Sequence, residues 1–345
     1  LDPACGSGIQ LAAYCAILGR KGLGIEMDEP TAQAANSNLL RVAEHGFGES
    51  LLNSTIHVSD GTVGNSEQKF AMLHLDPARP RNSRTHSLDE MAPRLPDIFS
   101  AWKGSLIELD RGPAILLDLS PRLDKSQQNE VEEIVESFWP GIGRTWVWTS
   151  RGKGRVDRLS LWIGQLSSPE VSRRFVRIPP DIKQKPLVIE GNFSEVFEHR
   201  RPPRKGEYVT ILDAALVESG LANEYLKNVI DDDEITWSIS QGRRPQIHHS
   251  SPVLLENSNQ NLLIQATGRI VKLVHCDLSM DTISNLVDAS REYGFGKLTL
   301  RMKVEPSLQP KLQGSLDRQL ASKGGPHVGF VAKQPHDTML LLCLE

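Results

Sequence analysis

The chain has little of what would place it in a membrane, around a metal or in an oxidising compartment. No apolar run approaches the roughly 20 residues needed to cross a bilayer. Its four cysteines, Cys5, Cys15, Cys276 and Cys343, are scattered over 345 residues without a C-x-x-C pair. That spacing argues against a zinc site, so no metal is expected, and it favours a reducing, cytoplasmic setting. Nor is there a surplus of positive charge. The net charge of -4 gives no global attraction to nucleic acid, so any such attraction must come from local patches. With 39% apolar and 24% charged residues the composition is that of an ordinary globular protein. The length leads to an expectation of about two or three domains.

What is present is concentrated at the start. In LDPACGSG, Leu1 to Gly8, the glycines Gly6 and Gly8 let the backbone turn sharply and approach a ligand. The helix predicted over Ile9 to Leu18 offers its amino end to a polar group. Asp2, four residues before Gly6, can accept hydrogen bonds from a cationic amine or from loop amides. After the helix comes GLGIEMD, a short strand ending in Glu26. An acidic residue about 20 positions after such glycines is placed to accept both hydroxyls of a ribose. A plain tight turn is the competing reading of Gly-x-Gly. A dinucleotide fingerprint needs a third glycine, and Leu11 occupies that place. Only Leu1 precedes Asp2, whereas a strand feeding this loop should have roughly five or six residues, so an upstream segment is expected.

Further along, a second helix is read from Pro30 to Gly46, and STIHVSDG reads as a strand ending at Asp60. Phe70 to Leu75 is an apolar strand with Asp76-Pro77-Ala78-Arg79 at its carboxyl end, where ligands collect in open α/β sheets. Asp76 could equally cap a helix or a turn. Ala114 to Leu119 reads as a buried strand, and TWVWTSRGKGRVDRLSLWIGQL as two strands around a basic, glycine-rich turn. Trp146, Trp148 and Trp162 are read as core packing in preference to base-stacking platforms. Residues 181–206 have the composition of a connector with a basic tip, RRPPRK. YVTILDAALVESGLANEYL is read as a helix-like run, and the adjacent His248 and His249 as exposed loop residues that cannot chelate one metal alike. From Arg269 the pattern is β-α-β-α-β-β, a small α+β layer. Between Arg291 and Lys333 eight Lys and Arg face three Asp and Glu, a local net charge of +5. That stretch is either an electrostatic footprint for nucleic acid or a solvated surface.

DPACGSG, GIEMD and the later Asp76-Pro77 pair, three motifs in order, resemble a class I S-adenosylmethionine-dependent methyltransferase. DPARP, LLDLSPRLD, WTSRGKGRVDRLSLWIG, YVTILDAALVESGL and GFGKLTLRMK together look like a little-studied group of these proteins. In that group the catalytic-type domain is followed by a ferredoxin-like segment and a THUMP-like domain. The resemblance implies a Rossmann-like α/β fold with small α+β modules behind it. The expected divisions are a cofactor domain over 1–180, a connector over 181–206, a ferredoxin-like segment over 207–270 and a THUMP-like domain over 271–345.

It further implies S-adenosylmethionine as cofactor and an RNA base, of tRNA or rRNA, as target. Asp2, Pro3, Ala4, Cys5, Gly6 and Gly8 would form the loop that seats the methionine part. Glu26, with Met27 beside it, would take the ribose, and Asp60 with Gly61 the adenine, although Asp60 could also be a turn residue. Asp76 would orient the target atom or take its proton, with Pro77 beside it in the catalytic corner. Arg79 would stack on a base or bind phosphate. Arg301, Lys303, Lys311 and Arg318 would hold RNA. In amino-group methyltransferases the Asp76 corner reads Asn/Asp-Pro-Pro-aromatic, and Ala78 and Arg79 depart from that pattern. Two other readings stay open: a DNA adenine methyltransferase, and a non-catalytic RNA-binding protein that keeps the cofactor fold.

Overall fold

A computed structural model of the chain describes residues 1–46, 49–64, 67–78, 87–231, 235–334 and 337–345, without the side chain of Lys323. The chain divides into two units, Leu1–Trp148 with Arg158–Ser172, and Thr149–Asp157 with Arg173–Glu345.

In the first unit, strands β1 (Leu23–Glu26), β2 (Thr55–Val58), β3 (Met72–Leu75), β4 (Ala114–Leu119), β5 (Arg144–Ser150) and β6 (Arg158–Gly164) are interleaved with helices. These are α1 (Ile9–Leu18), α2 (Glu29–Glu44), α3 (Glu49–Leu52), α4 (Leu95–Trp102) and α5 (Lys125–Phe138). Leu1 and Asp2 lie between β1 and β3. Ile25 N–H donates to Asp2 O at 2.9 Å, and His74 N–H donates to Leu1 O at 2.8 Å. The order is therefore β2-β1-Leu1/Asp2-β3-β4-β6-β5, with the strands from β2 to β4 parallel and β6 running against β4. This is a mixed α/β, Rossmann-like sheet.

Local chemistry accounts for the elements. All six residues of β4 are buried, as expected for a central strand that reads as a continuous apolar run. Helix α2 starts at Asp28, whose carboxylate accepts the Thr31 N–H, and α5 starts with a capping box between Asp124 and Gln127. Leu11, Ala12 and Cys15 of α1 pack with Ala32, Ala35 and Leu39 of α2 and with Ile56 of β2. A second, aromatic cluster joins Phe70 to Trp102, ring centroids 5.8 Å apart, and Phe99 to Trp139 at 5.0 Å.

The second unit contains β7 (Arg173–Arg177), β8 (Leu187–Gly191), β9 (Tyr208–Leu212), β10 (Thr236–Ile239), β11 (Gln246–His249), β12 (Ile264–His275), β13 (Phe295–Leu300), β14 (His327–Lys333) and β15 (Met339–Leu344). Its helices are α6 (Ala214–Glu218), α7 (Ala222–Leu226), α8 (Ile283–Glu292) and α9 (Gln309–Lys323). Seven strands form one sheet in the order β10-β11-β9-β12-β15-β14-β13. Leu286 and Val287 of α8 and Leu312, Leu316 and Leu320 of α9 pack on Leu298, Leu300, Leu340 and Leu342 of the sheet. Val209, Ile211, Ile270, Phe330 and Leu341 form a separate cluster.

Residue 270 lies inside β12, whose first half pairs with β9 and whose second half pairs with β15. Two expectations are corrected here. YVTILDAALVESGLANEYL is not one helix. Tyr208–Leu212 is a strand of mainly aromatic and β-branched residues, Asp213 caps α6 through the Ala215 N–H, and Gly220 at φ 74° breaks the run before α7. His248 and His249 are not exposed. They are 1% and 0% exposed on β11, where His249 Nε2 meets Thr210 Oγ1 at 2.8 Å and Nδ1 meets Ser251 O at 2.6 Å. Burial, with the nearby Arg201 and His249 charges, pushes His248 down to about 4.

Trp102 is 1% exposed and its indole Nε1 donates to Gly61 O at 2.7 Å. Truncation leaves a cavity as well as an unpaired carbonyl. Trp102→Ala should destabilise the first unit by about 3–5 kcal/mol, and Trp102→Phe by far less, in urea unfolding followed by circular dichroism.

Candidate functional site

The glycine loop crosses from Asp2 over the end of β1 into α1. Cys5 N–H donates to Ile25 O at 3.0 Å, and Gly8 N–H donates to Cys5 O at 2.9 Å. Gly6 and Gly8 have φ of +51° and +70°, values that a side chain would strain. A Cβ on Gly8 would also press on the Ala35 Cβ at 3.0 Å, whereas one on Gly6 would meet nothing within 4 Å. Helix α1 has no side-chain cap and no acidic residue in its first turn. Its leading N–H groups therefore have no carbonyl before them in the helix, which leaves a positive end at the loop.

Glu26 closes this loop. One carboxylate oxygen accepts the Gly6 N–H at 3.1 Å and the other the Asp28 N–H at 2.9 Å. Met27 beside it is 73% exposed. The loop after β2 is fitted just as closely. A Cβ on Gly61 would lie 1.9 Å from Pro3 O, so only glycine is tolerated there. Asp60 Oδ1 accepts both the N–H and the Oγ1–H of Thr62, each at 2.8 Å. These bonds hold the exposed Asp60 carboxyl below its ordinary range.

Asp76 follows β3, and its Oδ2 accepts from Gln10 Nε2 of α1 at 3.1 Å. It reaches solvent, yet the protein around it raises its pKa, first by desolvation and then through the charge of Asp118. Asp2 is 2% exposed, and its oxygens are taken by the Ala4 N–H at 3.3 Å and by His74 Nδ1 at 2.8 Å. On its other side His74 Nε2 meets Asp118 Oδ2 at 3.2 Å. Asp118 also accepts from Arg158 Nη1 at 2.7 Å and from Ser160 Oγ at 2.6 Å. Burial opposes charge on His74, but the hydrogen bonds to Asp118 and Asp2 outweigh it and raise the pKa to about 9. Desolvation likewise works against the Asp118 carboxylate, and the His74, Ser160 and Arg158 contacts still bring it below its ordinary value. At neutral pH the chain thus buries an imidazolium between two carboxylates.

The structure brings Asp2, Gly6, Gly8, Glu26, Asp60, Gly61, Asp76 and Pro77 to the carboxyl ends of the parallel strands or the loops that follow them. Arg79 lies outside the described residues. In the second unit Lys303, Lys311 and Arg318 are exposed, the last two on α9, and Arg301 is half-buried just past β13. Sequence reasoning missed His74, Asp118, Arg158, Gln10 and Trp102. The available signal was charge inside apolar strands: a histidine in MLHL and an aspartate in AILLDL. Among the described residues no group of three or more His, Cys, Asp and Glu is arranged to hold a metal, and no helix is long and apolar enough to cross a membrane.

Because His74 binds its proton more tightly in the folded state than unfolded, its contribution is complete below pH about 6.5 and is lost as pH rises through about 9. The loss should be roughly 3 kcal/mol, since one pKa unit corresponds to about 1.4 kcal/mol. Urea unfolding of wild type and His74→Gln between pH 6.5 and 10 measures it. The stability difference between the two should shrink with rising pH.

No protein-family model matches the chain, and no curated protein matches it. Among solved structures it is similar to the O-methyltransferase of a trans-AT PKS multienzyme from Brevibacillus brevis, in complex with S-adenosyl-L-homocysteine. The identity is 16% and the TM-score 0.27, over 42% of this chain and 46% of that one. It is similar also to the hMettl16 catalytic domain in complex with a 3′UTR hairpin, at 15% identity and TM-score 0.34, over 52% of this chain and 66% of the other. A third likeness is to a SAM-dependent O-methyltransferase from Thermotoga maritima, at 19% identity and TM-score 0.29, over 49% of this chain and 59% of the other. The chain therefore spans less than two thirds of each of these three.

Proposed function

We propose that the chain binds S-adenosylmethionine at the Asp2–Gly8 loop and transfers its methyl group to an RNA base, in tRNA or rRNA. The observation that carries this reading is the Glu26 carboxylate, joined to the Gly6 N–H at 3.1 Å at the end of β1. It brings a ribose-type acceptor against a glycine turn and an uncapped helix end, the pairing that a nucleoside with a charged tail requires. The Gly6–Gly8 backbone and the first turn of α1 hold the methionine carboxylate, and the buried Asp2 keeps that loop in place. Glu26 accepts the ribose hydroxyls, Met27 lies along the nucleoside, and Asp60, set by Gly61, accepts the adenine amino group. When bound, the cofactor supplies an electrophilic methyl group on a sulfonium sulfur.

The rest is alignment and proton handling. Asp76, held by Gln10 and backed by the buried Pro77, orients an acceptor N–H and takes the proton that leaves as the methyl arrives. Its raised pKa suits a base better than that of an ordinary surface carboxylate. Arg79 is assigned to stacking on the base or clamping a phosphate. The basic stretch of the second unit, with Arg301, Lys303, Lys311 and Arg318, supports RNA as the substrate class.

Two substitutions test the assignment. Glu26→Ala should weaken S-adenosylmethionine by about tenfold or more in calorimetry, since each hydrogen bond to a charged group contributes on the order of 1.5–3 kcal/mol. Unchanged affinity would remove Glu26 from the site. Asp76→Ala should lower the single-turnover methylation rate on RNA by about 10²-fold with little change in cofactor affinity. A normal rate would remove Asp76 from the chemistry.

A further inference from the structure

The turn between β10 and β11 carries Arg244, a residue to which neither the sequence patterns nor the proposed function gives a role. The turn is fixed from two sides. Gln265 Nε2 donates to Arg243 O at 2.8 Å, and Leu212 N–H donates to Pro245 O at 2.9 Å. Arg244 Nη1 then donates to Leu300 O at 3.2 Å and to Met302 O, the carbonyls on either side of Arg301. In the strand order β10-β11 and β13 are at opposite ends, so these bonds bring the two ends of the sheet together at this point. Gln246 Nε2, at 3.5 Å from Lys333 O, bridges the same gap.

Arg244 is thereby anchored on the backbone that carries Arg301, near enough for the two charges to act on each other. Both residues are half-buried, so each keeps a face toward solvent. The ion pairs among the described residues of this unit engage other cations, and none involves Arg244 or Arg301. The Nε of Arg301 is buried and has no hydrogen-bond partner among the described residues. The Arg244 guanidinium lies below its ordinary pKa through burial and then through the charge of Arg301. Among the described residues neither charge has a counter-ion, and an oxyanion that accepts from both relieves their repulsion. The planar fork of arginine matches the oxygens of a phosphate. The surrounding sequence is cationic, with a net charge of +5 between Arg291 and Lys333. An extended polyanion profits from that stretch more than an isolated phosphate does.

We propose that Arg244 and Arg301 form a seat for one phosphodiester group of an RNA strand. The seat rests on the RNA reading above and adds Arg244, from a distant segment of the chain, to the surface that holds the substrate. Arg301, whose Nε is buried, supplies its Nη donors. Arg244 is anchored through Nη1 and supplies its remaining N–H groups.

The test is a polarization titration of the full chain with a fluorescein-labelled oligouridylate over a series of salt concentrations. Arg301→Gln should weaken binding by about tenfold and lower the slope of log affinity against log salt by about one. Arg244→Lys keeps the charge but not the fork, and should also weaken RNA. Thermal unfolding of both variants separates loss of the seat from loss of the sheet closure. If Arg301→Gln leaves affinity and slope unchanged, the seat is refuted. If Arg244→Lys lowers the melting temperature and leaves RNA binding intact, Arg244 is a strut and the pairing fails. If inorganic phosphate raises the wild-type melting temperature as much as saturating RNA, the site takes small anions and the RNA assignment falls. Calorimetry with S-adenosylmethionine keeps the two readings apart. A wild type that binds the cofactor but no RNA overturns the seat and leaves the cofactor site standing. Arginine-dependent RNA binding without cofactor binding upholds the seat and overturns methyl transfer.

Discussion

A protonated His74 lies between two carboxylates, with Asp2 at 2.8 Å on one ring nitrogen and Asp118 at 3.2 Å on the other. The edge of the first unit that carries the candidate site depends on this arrangement. Burying one carboxylate alone in the sheet would cost several kcal/mol. Here the charges compensate each other, and Arg158 and Ser160 satisfy the remaining oxygens of Asp118. The consequence is positional. Asp2 opens the glycine loop, His74 stands two residues before Asp76, and Asp118 belongs to the neighbouring β4. One set of hydrogen bonds therefore fixes the loop, the end of β3 and the centre of the sheet relative to one another. Tyr14 of α1 covers the imidazole, with ring centroids 5.0 Å apart, and brings the helix into the same cluster.

Around that centre, close backbone fits set the remaining positions. Gly61 lies against Pro3 O with no room for a Cβ, and Trp102 holds the Gly61 carbonyl from the other side. Asp60 is therefore carried to the glycine loop by packing two strands away from it, and its bonds to Thr62 shape the turn without using the whole carboxylate. The two readings of Asp60, turn former and ligand acceptor, are compatible for this reason. Asp76 combines a tether to Gln10 with a raised pKa, a carboxylate kept still and made more basic at once.

The second unit follows a different logic. A single seven-stranded sheet runs through the point at which two modules were expected, because β12 is twelve residues long and serves two partners in succession. Its buried polar groups are local pairs such as His249 with Thr210, and His248 is kept neutral by burial. Among the described residues of this unit the buried Nε of Arg301, like that of Arg291, has no hydrogen-bond partner.

The sequence by itself determined the elements whose cause is local. Helix α1 and strand β4 fall on the spans read from their apolar patterns, Ile9–Leu18 and Ala114–Leu119. The Gly6 and Gly8 turn was legible because positive φ is cheap only for glycine. The 20-residue spacing of Gly6 and Glu26 was read as a ribose acceptor after a glycine turn, and the 3.1 Å hydrogen bond between them is a contact that the spacing did not predict. What only the tertiary structure decided are relations between residues far apart in the chain. Asp2 and His74 are separated by 72 positions and His74 and Asp118 by 44, and no periodicity carries the information that they meet. The helix-like reading of Tyr208–Leu212 and the exposed reading of His248 and His249 failed for the same reason. Pairing with β12 and β11 overrode local pattern at the first, and neighbouring strands buried the second. Burial, and with it the charge state of a histidine, is a property of the assembled sheet and not of the residues that flank it.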